Sequence, residues 1–296
     1  MKPPMLDFKT IAVATDLGET SSNALRRAQE IAHQHNSALI IVHIIDPVGY
    51  AFPKGAPAAL AADHTARDEV KRIEEEVRGR GIEVHSVIQS GTICDCILQA
   101  VSDHRVDLLV LGTRARTKAG AVALGTVARQ LLAKAPCSIL TVPSNEDEAS
   151  RSTRGWQRAL AETDFSAASL SALRLATSLE TGRLDVLHAA CCGNEQKCSH
   201  CLERLQLLAP SQEPHRIPVE HIVISGEAGE MIARCARKLH VDLVVLGSPE
   251  KELTADDFQS STVLRVISSV SCPVLCVPST KQSAPHDVIH EVSFAC

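Results

Sequence analysis

The chain is poor in aromatic residues, with one Trp, one Tyr and five Phe among 296 residues. It also lacks an excess of positive charge, because 35 acidic residues outnumber 30 basic ones and give a formal net charge of −5 at pH 7. Proteins that bind single-stranded nucleic acid use aromatic stacking on a basic surface. Both absences therefore argue against nucleic acid as a partner.

Long apolar runs are also missing, since no stretch approaches the ~20 residues that a membrane-spanning helix needs. The first residues, MKPPMLDFKT, lack the apolar core of a signal peptide. We expect a soluble, cytoplasmic protein without a membrane partner. The eleven cysteines are odd in number and scattered, which argues against a secreted disulfide framework and favours reduced thiols.

Three catalytic motifs are absent from the sequence: Gly-x-Ser-x-Gly, His-Glu-x-x-His, and the Walker-type Gly-Lys-Ser/Thr. An enzyme of these classes has no support. We assign no catalytic residue and predict that the protein is not an enzyme.

The second half of the chain repeats the first. VDLLVLGT at 106–113 returns as VDLVVLGS at 241–248, and the alignment runs without a gap from Ser90/Ser225 to Pro143/Pro278. A length of about two ~150-residue domains fits this repeat, so we expect each half to bury its own core. The polar segment SNEDEASRSTRG separates the copies. The predicted divisions are an N-terminal domain at 1–145, a linker at 146–156, a C-terminal domain at 157–279 and a tail at 280–296.

Apolar strands alternate with amphipathic helices in the first copy, which predicts a doubly wound α/β sheet of parallel strands. We predict that Thr20 or Ser21 caps the first helix. Strands are expected at Thr10 to Ala14, Ser37 to Asp46, Ile82 to Ile88, Val106 to Leu111 and Cys137 to Val142. Later helices are expected from about Ala61 to Gly79, from Cys94 to Ser102 and from Thr126.

The loop after the fourth predicted strand has the features of a phosphate site. A strand that ends in a glycine-containing loop before a helix gathers backbone N–H groups around one point. Gly125 permits close approach of the backbone and Thr126 adds a hydroxyl at the helix start. Residues 113–124 also carry Arg114, Arg116 and Lys118 without an acid, a charge of +3. The alternative is that these basic residues form only a solvated loop face.

The equivalent loop of the second copy has lost these features. Residues 248–259 contain four acidic residues against one lysine, a charge of −3, and Ser260 replaces Gly125. A triphosphate would be repelled there. We therefore predict one nucleotide per chain, held in the N-terminal copy.

Five segments together resemble the universal stress protein family: ATDLGETSSNAL, ETDFSAASLSAL, IIVHIID, VDLLVLGTR and APCSILTVP. The spacing from Gly112 to Gly125 and Thr126 is similar to the family's ATP-loop pattern, except that Ala115 stands where a second glycine belongs. If that position needs a left-handed backbone, the methyl group costs ~1–2 kcal/mol, or roughly tenfold in affinity. We expect weakened binding, not abolished binding.

The resemblance implies two tandem doubly wound parallel five-stranded sheets, Rossmann-like and similar to adenine nucleotide alpha hydrolases. It implies pairing of the domains through Ser138–Val142 and Val274–Val277, and it leaves association of two chains open. The implied function is a stress-response sensor or adaptor that binds ATP, with magnesium as an accompanying ion, hydrolyses it slowly at most, and acts on an unidentified protein partner. The implied nucleotide-binding residues are Ala14, Thr15, Asp16, Ile44, Gly112, Arg114, Ala115, Gly125, Thr126 and Val127.

Several of these side chains have a second interpretation. Asp16 and Asp164 follow strands that end over the ligand crevice, which suits catalysis, but a helix start or a ribose contact is more typical of an Asp there. His43 and His188 lie in apolar strands, where a buried imidazole bonded to the backbone is favoured over a ligand or base.

The segment CCGNEQKCSHC offers a different chemistry. Cys198 and Cys201 have the spacing of a zinc knuckle, and Cys191 and Cys192 could add thiolate ligands. Free or redox-active thiols are the alternative, because adjacent cysteines chelate poorly. The alternative function is thus a redox- or zinc-responsive module in which nucleotide binding is vestigial.

Overall fold

The computed structural model describes residues 8–45, 56–113, 124–144, 155–179, 181–190, 195–211, 217–248 and 261–279. The strands are β1 (Thr10–Ala14), β2 (Ala38–Ile45), β3 (Val84–Ser90), β4 (Leu108–Thr113), β5 (Ser138–Pro143), β6 (Ala159–Glu162), β7 (Leu184–Ala190), β8 (Val219–Ser225), β9 (Leu243–Gly247) and β10 (Val274–Val277). The helices are α1 (Glu19–His35), α2 (Ala56–Gly79), α3 (Ile93–Asp103), α4 (Thr126–Lys134), α5 (Ala167–Ser178), α6 (Glu195–Leu208), α7 (Ala228–Leu239) and α8 (Thr262–Ser269). No helix within these ranges is long and apolar enough to cross a bilayer.

All ten strands belong to one sheet, in the order β3-β2-β1-β4-β5-β10-β9-β6-β7-β8. Within each half every pair of neighbouring strands is parallel. The first strand of each half lies inside its sheet, with later strands added on both sides of it. This is the doubly wound arrangement of two parallel five-stranded sheets that the sequence predicts.

The two halves meet through their final strands. β5 and β10 pair antiparallel, with Leu275 opposite Leu140 and Val274 opposite Thr141. The Thr141 hydroxyl donates to the Val274 carbonyl oxygen across this join, at 3.2 Å. Two strand edges that would otherwise be exposed are therefore covered within one chain, as predicted.

Each half buries many apolar side chains, and the clusters that they form continue from one half into the other. One apolar cluster contains Leu109 from the N-terminal half and Val244 from the C-terminal half. A second cluster contains their sequence neighbours, Val110 and Val245. Because successive side chains of a strand point to opposite faces, the joined sheet has one continuous core on each face.

A contact outside the sheet also connects the halves. The guanidinium of Arg27 on α1 lies 4.8 Å from the ring centroid of Trp156, which comes just before β6. This contact holds α1 against the start of the second copy. Within the first half, the Asn23 side-chain amide donates to the Ser144 carbonyl oxygen at 2.7 Å, where the chain leaves β5.

Neither Thr20 nor Ser21 caps α1, so that prediction is wrong. The helix begins at Glu19, and Gly18 is its N-cap without a side-chain hydrogen bond. The reason is a turn at Leu17, whose φ of 60° is left-handed and starts the helix earlier than expected. Other element boundaries differ by a few residues; α2 begins at Ala56, five residues before the predicted start.

No disulfide joins any of the eight cysteines among the described residues, and their reduced state stays a prediction. Burial raises the pKa of the Cys137 thiol to about 12. Burial likewise raises the pKa of the Cys276 thiol, on β10, to about 12. Both remain protonated at neutral pH and are therefore poor nucleophiles.

Replacing Leu140 by alanine tests the shared core. Its side chain is 1% exposed on β5, so we expect Leu140→Ala to lower the free energy of unfolding by about 2–5 kcal/mol through lost burial and a residual cavity. Urea denaturation monitored by circular dichroism measures the change. Leu207→Ala on α6 is the matched control, because Leu207 is 82% exposed and its loss should cost under about 0.5 kcal/mol. Equal effects of the two substitutions would contradict a buried join.

Candidate functional site

A cavity of about 280 Å³ lies in the N-terminal half, at the carboxyl ends of β1, β2 and β4 and beside the N-terminus of α4. The strand order reverses between β1 and β4, and ligands of open α/β sheets bind at such a reversal. The lining residues are Ala14, Thr15, Asp16, Ser21, Val42, Ile44, Ile93, Ile97, Leu111, Gly112, Gly125, Thr126, Val127 and Ala128.

Eight of the ten predicted nucleotide-binding residues line this cavity. They are Ala14, Thr15, Asp16, Ile44, Gly112, Gly125, Thr126 and Val127. The other two, Arg114 and Ala115, lie outside the described residues, as do Arg116 and Lys118. The structure thus brings the predicted set together, and contact with a nucleotide stays a prediction.

The floor of the cavity is a turn held by local hydrogen bonds. The Thr15 hydroxyl accepts from the Leu17 N–H at 3.0 Å and bonds the Ser21 hydroxyl at 2.9 Å. The Nδ1 of buried His43 lies 3.0 Å from the Thr15 carbonyl oxygen. Because a carbonyl only accepts, Nδ1 carries the proton. The predicted structural role of His43 is confirmed.

Asp16 stands at the exposed rim of this cavity. Its carboxylate accepts the Gly18 N–H at 2.9 Å, which fixes the chain as it enters α1. This contact agrees with a helix-start role, and it leaves the second carboxylate oxygen for another donor, such as a ribose hydroxyl.

The N-terminus of α4 opens on the cavity without a side-chain cap. Gly125 is the N-cap residue and makes no side-chain hydrogen bond to the first turn, which also contains no acidic residue. The first backbone N–H groups of a helix have no partner within the helix. Those of α4 are therefore available to an anion beside Thr126 and Val127.

A second cavity, of about 470 Å³, occupies the equivalent place in the C-terminal half. The lining residues are Glu162, Asp164, Ser166, Ala168, Ser169, Ala189, Ala228, Leu246, Gly247, Ser248, Ser261, Thr262 and Val263.

The floor of this second cavity reproduces the first. The Thr163 hydroxyl bonds the Ser169 hydroxyl at 2.9 Å, and the Asp164 carboxylate accepts the Ser166 N–H at 2.9 Å. The Nδ1 of His188 lies 2.7 Å from the Thr163 carbonyl oxygen. Sequence reasoning identified the Thr, Asp and His of both turns but missed the serine that bonds each threonine, although ETSS and FSAAS carry it at the same offset.

The walls of the two cavities differ in size and polarity. In the second copy the aliphatic side chains of Ile44 and Ile93 are replaced by Ala189 and Ala228, while Ala14 is replaced by Glu162. Two large apolar groups are thus lost and one acidic group is gained. This exchange explains a larger and more polar cavity.

In the second cavity, the start of α8 and Gly247 both have roles in the protein's own structure. The Ser261 hydroxyl accepts the Leu264 N–H at 3.4 Å and so caps α8. A Cβ atom at Gly247 would lie 2.6 Å from the backbone nitrogen of Ser169. Close packing of α5 therefore requires glycine there, whether or not a phosphate binds.

Sequence reasoning missed Glu162. Its side chain is 8% exposed at the end of β6, and no described residue donates a hydrogen bond to it. Burial, together with the charge of Asp164, raises the pKa of Glu162 from 4.5 to about 8. The available signal was an acid at the position of Ala14, inside an otherwise apolar strand.

The four-cysteine metal site stays a prediction. Cys198 and Cys201 lie one turn apart on α6 and are partly exposed, whereas Cys191 and Cys192 fall outside the described residues. Across the ranges that the structure covers, no group of three or more His, Cys, Asp or Glu side chains is placed to hold a metal ion. The zinc- or redox-responsive alternative gains no support from these residues.

The fold and the two cavities define a duplicated α/β protein with a crevice at the carboxyl ends of the strands in each half. Comparison with known sequences is specific: the model of the universal stress protein family matches residues 7–143 and again residues 155–278. The chain therefore belongs to the universal stress protein family, in a tandem form with two family domains. Membership of this family gives it a role in the stress response.

Individual relatives match one half of the chain. A universal stress protein of Thermus aquaticus is 30% identical over 143 residues, which cover 46% of this chain and 98% of the relative. One from Methanocaldococcus jannaschii is 22% identical over 145 residues, covering 48% of this chain and 85% of the relative.

Two solved structures match nearly the whole chain. A universal stress protein from Archaeoglobus fulgidus superposes with a TM-score of 0.72 at 15% identity, covering 92% of this chain and 99% of that one. A protein of Pseudomonas aeruginosa, described as a universal stress protein, gives a TM-score of 0.64 at 18% identity, covering 93% and 94%. At these identities the likeness shows the tandem fold.

The raised pKa of Glu162 predicts a pH-dependent cost to stability. Below the ordinary value of 4.5 both the folded and unfolded states are protonated, so this group contributes nothing. As the pH rises from 4.5 to about 8 the unfolded chain releases the proton and the folded protein keeps it, which favours unfolding; above about 8 the penalty is complete.

Glu162→Gln should remove this penalty. Relative to the unsubstituted protein, its free energy of unfolding should rise by about 2–4 kcal/mol more at pH 8.5 than at pH 4, measured by urea denaturation. Glu203→Gln, on the exposed face of α6, is the control and should show no such trend. A difference that is independent of pH would contradict a buried, neutral Glu162.

Proposed function

We propose that the protein is a stress-response sensor or adaptor that binds one ATP, with magnesium as the accompanying ion, in its N-terminal cavity. The observation that carries the proposal is the uncapped N-terminus of α4, which faces a cavity with an apolar wall. Positive charge follows in the sequence at Arg114, Arg116 and Lys118.

The cavity suits the separate parts of a nucleotide. Aliphatic side chains, among them Ile44, Ile93 and Leu111, supply the apolar surface that a purine base needs. Asp16 stands at the rim, with an oxygen for a ribose hydroxyl. The N–H groups at the start of α4 suit phosphate oxygens, and the arginines and lysine would add charge-assisted hydrogen bonds.

The C-terminal cavity is a poor nucleotide site for three reasons. Glu162 occupies part of the space that the base would take, Ser261 caps the helix that would meet the phosphates, and the loop at 248–259 has a charge of −3. A triphosphate would lose contacts and meet repulsion there. This asymmetry supports a stoichiometry of one nucleotide per chain.

ATP-binding measurements with a reciprocal pair of substitutions test the proposal. Titration calorimetry with ATP and magnesium should give one site per chain. Ala14→Glu places in the first cavity the residue that the second copy already accommodates, and it should weaken ATP binding at least about tenfold by filling the base region with a carboxyl group. Glu162→Ala, the reverse change in the other cavity, is the control and should leave ATP affinity unchanged.

Two equivalent ATP sites would refute the asymmetry. No binding by the unsubstituted protein would refute the proposed function itself. Circular dichroism of both variants establishes that any loss is not caused by unfolding.

We further propose that the nucleotide acts by being bound, with hydrolysis slow at most. Asp16 is the only acidic or basic residue among the described residues that line the first cavity. One of its carboxylate oxygens already accepts a backbone hydrogen bond. Activation of an attacking water requires a positioned base. The natural readout of ATP occupancy is then a change of shape or of protein partner.

Phosphate release from ATP under single-turnover conditions measures this directly. The expected rate is far below the ~1 s⁻¹ that marks the slow end of typical enzymes. Asp16→Asn should not lower that rate more than it lowers ATP binding. A rate of several per second that is lost in Asp16→Asn would instead establish an ATPase.

A further inference from the structure

The second cavity contains an acidic group, Glu162, to which none of the described residues donates a hydrogen bond. Only 8% of the Glu162 surface is exposed, yet the residue lines a cavity of about 470 Å³. Buried carboxyl groups are normally paired, because an unsatisfied polar group costs free energy. No described residue pairs with Glu162, and the residue lines the cavity, where a bound ligand can donate to it.

The surroundings of Glu162 are acidic or neutral. Asp164, at the exposed mouth, is the one other titratable residue among the described lining residues. Partial burial opposes its ionisation, but hydrogen bonds from Ser166 and Ser169 outweigh that effect and lower the pKa of Asp164. A charged carboxylate therefore stands near the neutral one, and no basic side chain among the described residues lines the cavity.

The remaining surface combines hydroxyl groups with small apolar side chains. Ser248 and Thr262 line one part, while Ala189, Ala228 and Leu246 line another. The exchange of two isoleucines for alanines makes the room, and the volume falls in the range of small-molecule sites. A ligand here needs N–H donors at one end and a short carbon frame at the other.

We propose that the C-terminal cavity binds a small organic monocation, an amine or guanidine on a short apolar frame, with Glu162 as its buried counterion. Asp164 strengthens the attraction from the mouth of the cavity. A free metal ion fits less well, because two carboxyl groups fall short of the ligand set that it needs and no metal-binding group of three occurs among the described residues. An anion is disfavoured by the negative charge of Asp164.

Binding of a cation would change the protonation of Glu162. In the free protein at pH 7 the group holds its proton, since its pKa is about 8. A positive charge beside it favours the ionised form, so the proton passes to solvent as the ion pair forms. The complex then contains the Glu162 carboxylate paired with the bound cation. It holds one proton fewer than the two separate partners.

Titration calorimetry of the full chain with N-butylguanidinium chloride tests this proposal. The matched neutral probe is N-butylurea, which has nearly the same shape without the charge. We expect saturable binding of one butylguanidinium per chain, at least about tenfold tighter than butylurea. Repeating the titration at pH 7 in buffers of different ionisation enthalpy should reveal release of about one proton per bound cation.

Glu162→Gln keeps the shape of the side chain and removes its ability to ionise. It should weaken butylguanidinium binding about tenfold or more and abolish proton release, whereas Glu162→Asp should retain part of both. Saturating ATP should not compete, because the proposed nucleotide site is the other cavity; the test therefore stands even if ATP does not bind. Absence of saturable binding, equal binding of butylurea, or full binding by folded Glu162→Gln would each overturn the proposal.

Discussion

The antiparallel pairing of β5 with β10 determines how the rest of the molecule is arranged. Each half alone would be a parallel sheet ending in an exposed strand, and the pairing turns two such sheets into one sheet with a continuous core on each face. It also reverses the direction of the second set of strands. Because each cavity lies at the carboxyl ends of its own strands, and the strands of the two halves run in opposite directions, the two cavities lie at opposite ends of the strands.

The two copies have the same hydrogen bonds at the floor of the cavity and different side chains lining it. The Thr–Ser bond, the Asp contact with the backbone two residues later and the His contact with the Thr carbonyl are the same in both copies. The shape of each crevice depends on these bonds, which lie below the ligand space. Side chains above them are free to differ, and there an alanine has become Glu162 while two isoleucines have become alanines. These exchanges underlie the two proposals, a nucleotide in the first crevice and an organic cation in the second.

Predictions from sequence succeeded where the signal is local or repeated. The helix at Thr126 follows from a Gly-Thr boundary before an apolar periodicity, and the pairing of the final strands follows from the family resemblance. They failed where a distant contact decides. Ser21 has the chemistry of a helix cap, but its hydroxyl serves Thr15 because the chain turns at Leu17. The continuation of one core into the other was not predicted from length, since nothing in the spacing of apolar residues reveals that two sheets join.

The sequence by itself determined the alternation of strands and helices, the duplication, and the contrast in charge between the two loops. These depend on residue type and spacing, which are read directly from the chain. Only the tertiary structure decided that Glu162 is a buried, largely neutral acid and that Ser261 closes a helix end that stays open in the first copy. The physical reason is that a carboxyl group's ionisation and a backbone N–H group's availability depend on the dielectric and the partners around them. Ala228 of α7 and Thr262 of α8 line the cavity beside Glu162, so the folded chain brings together residues about 65 to 100 positions apart in the sequence.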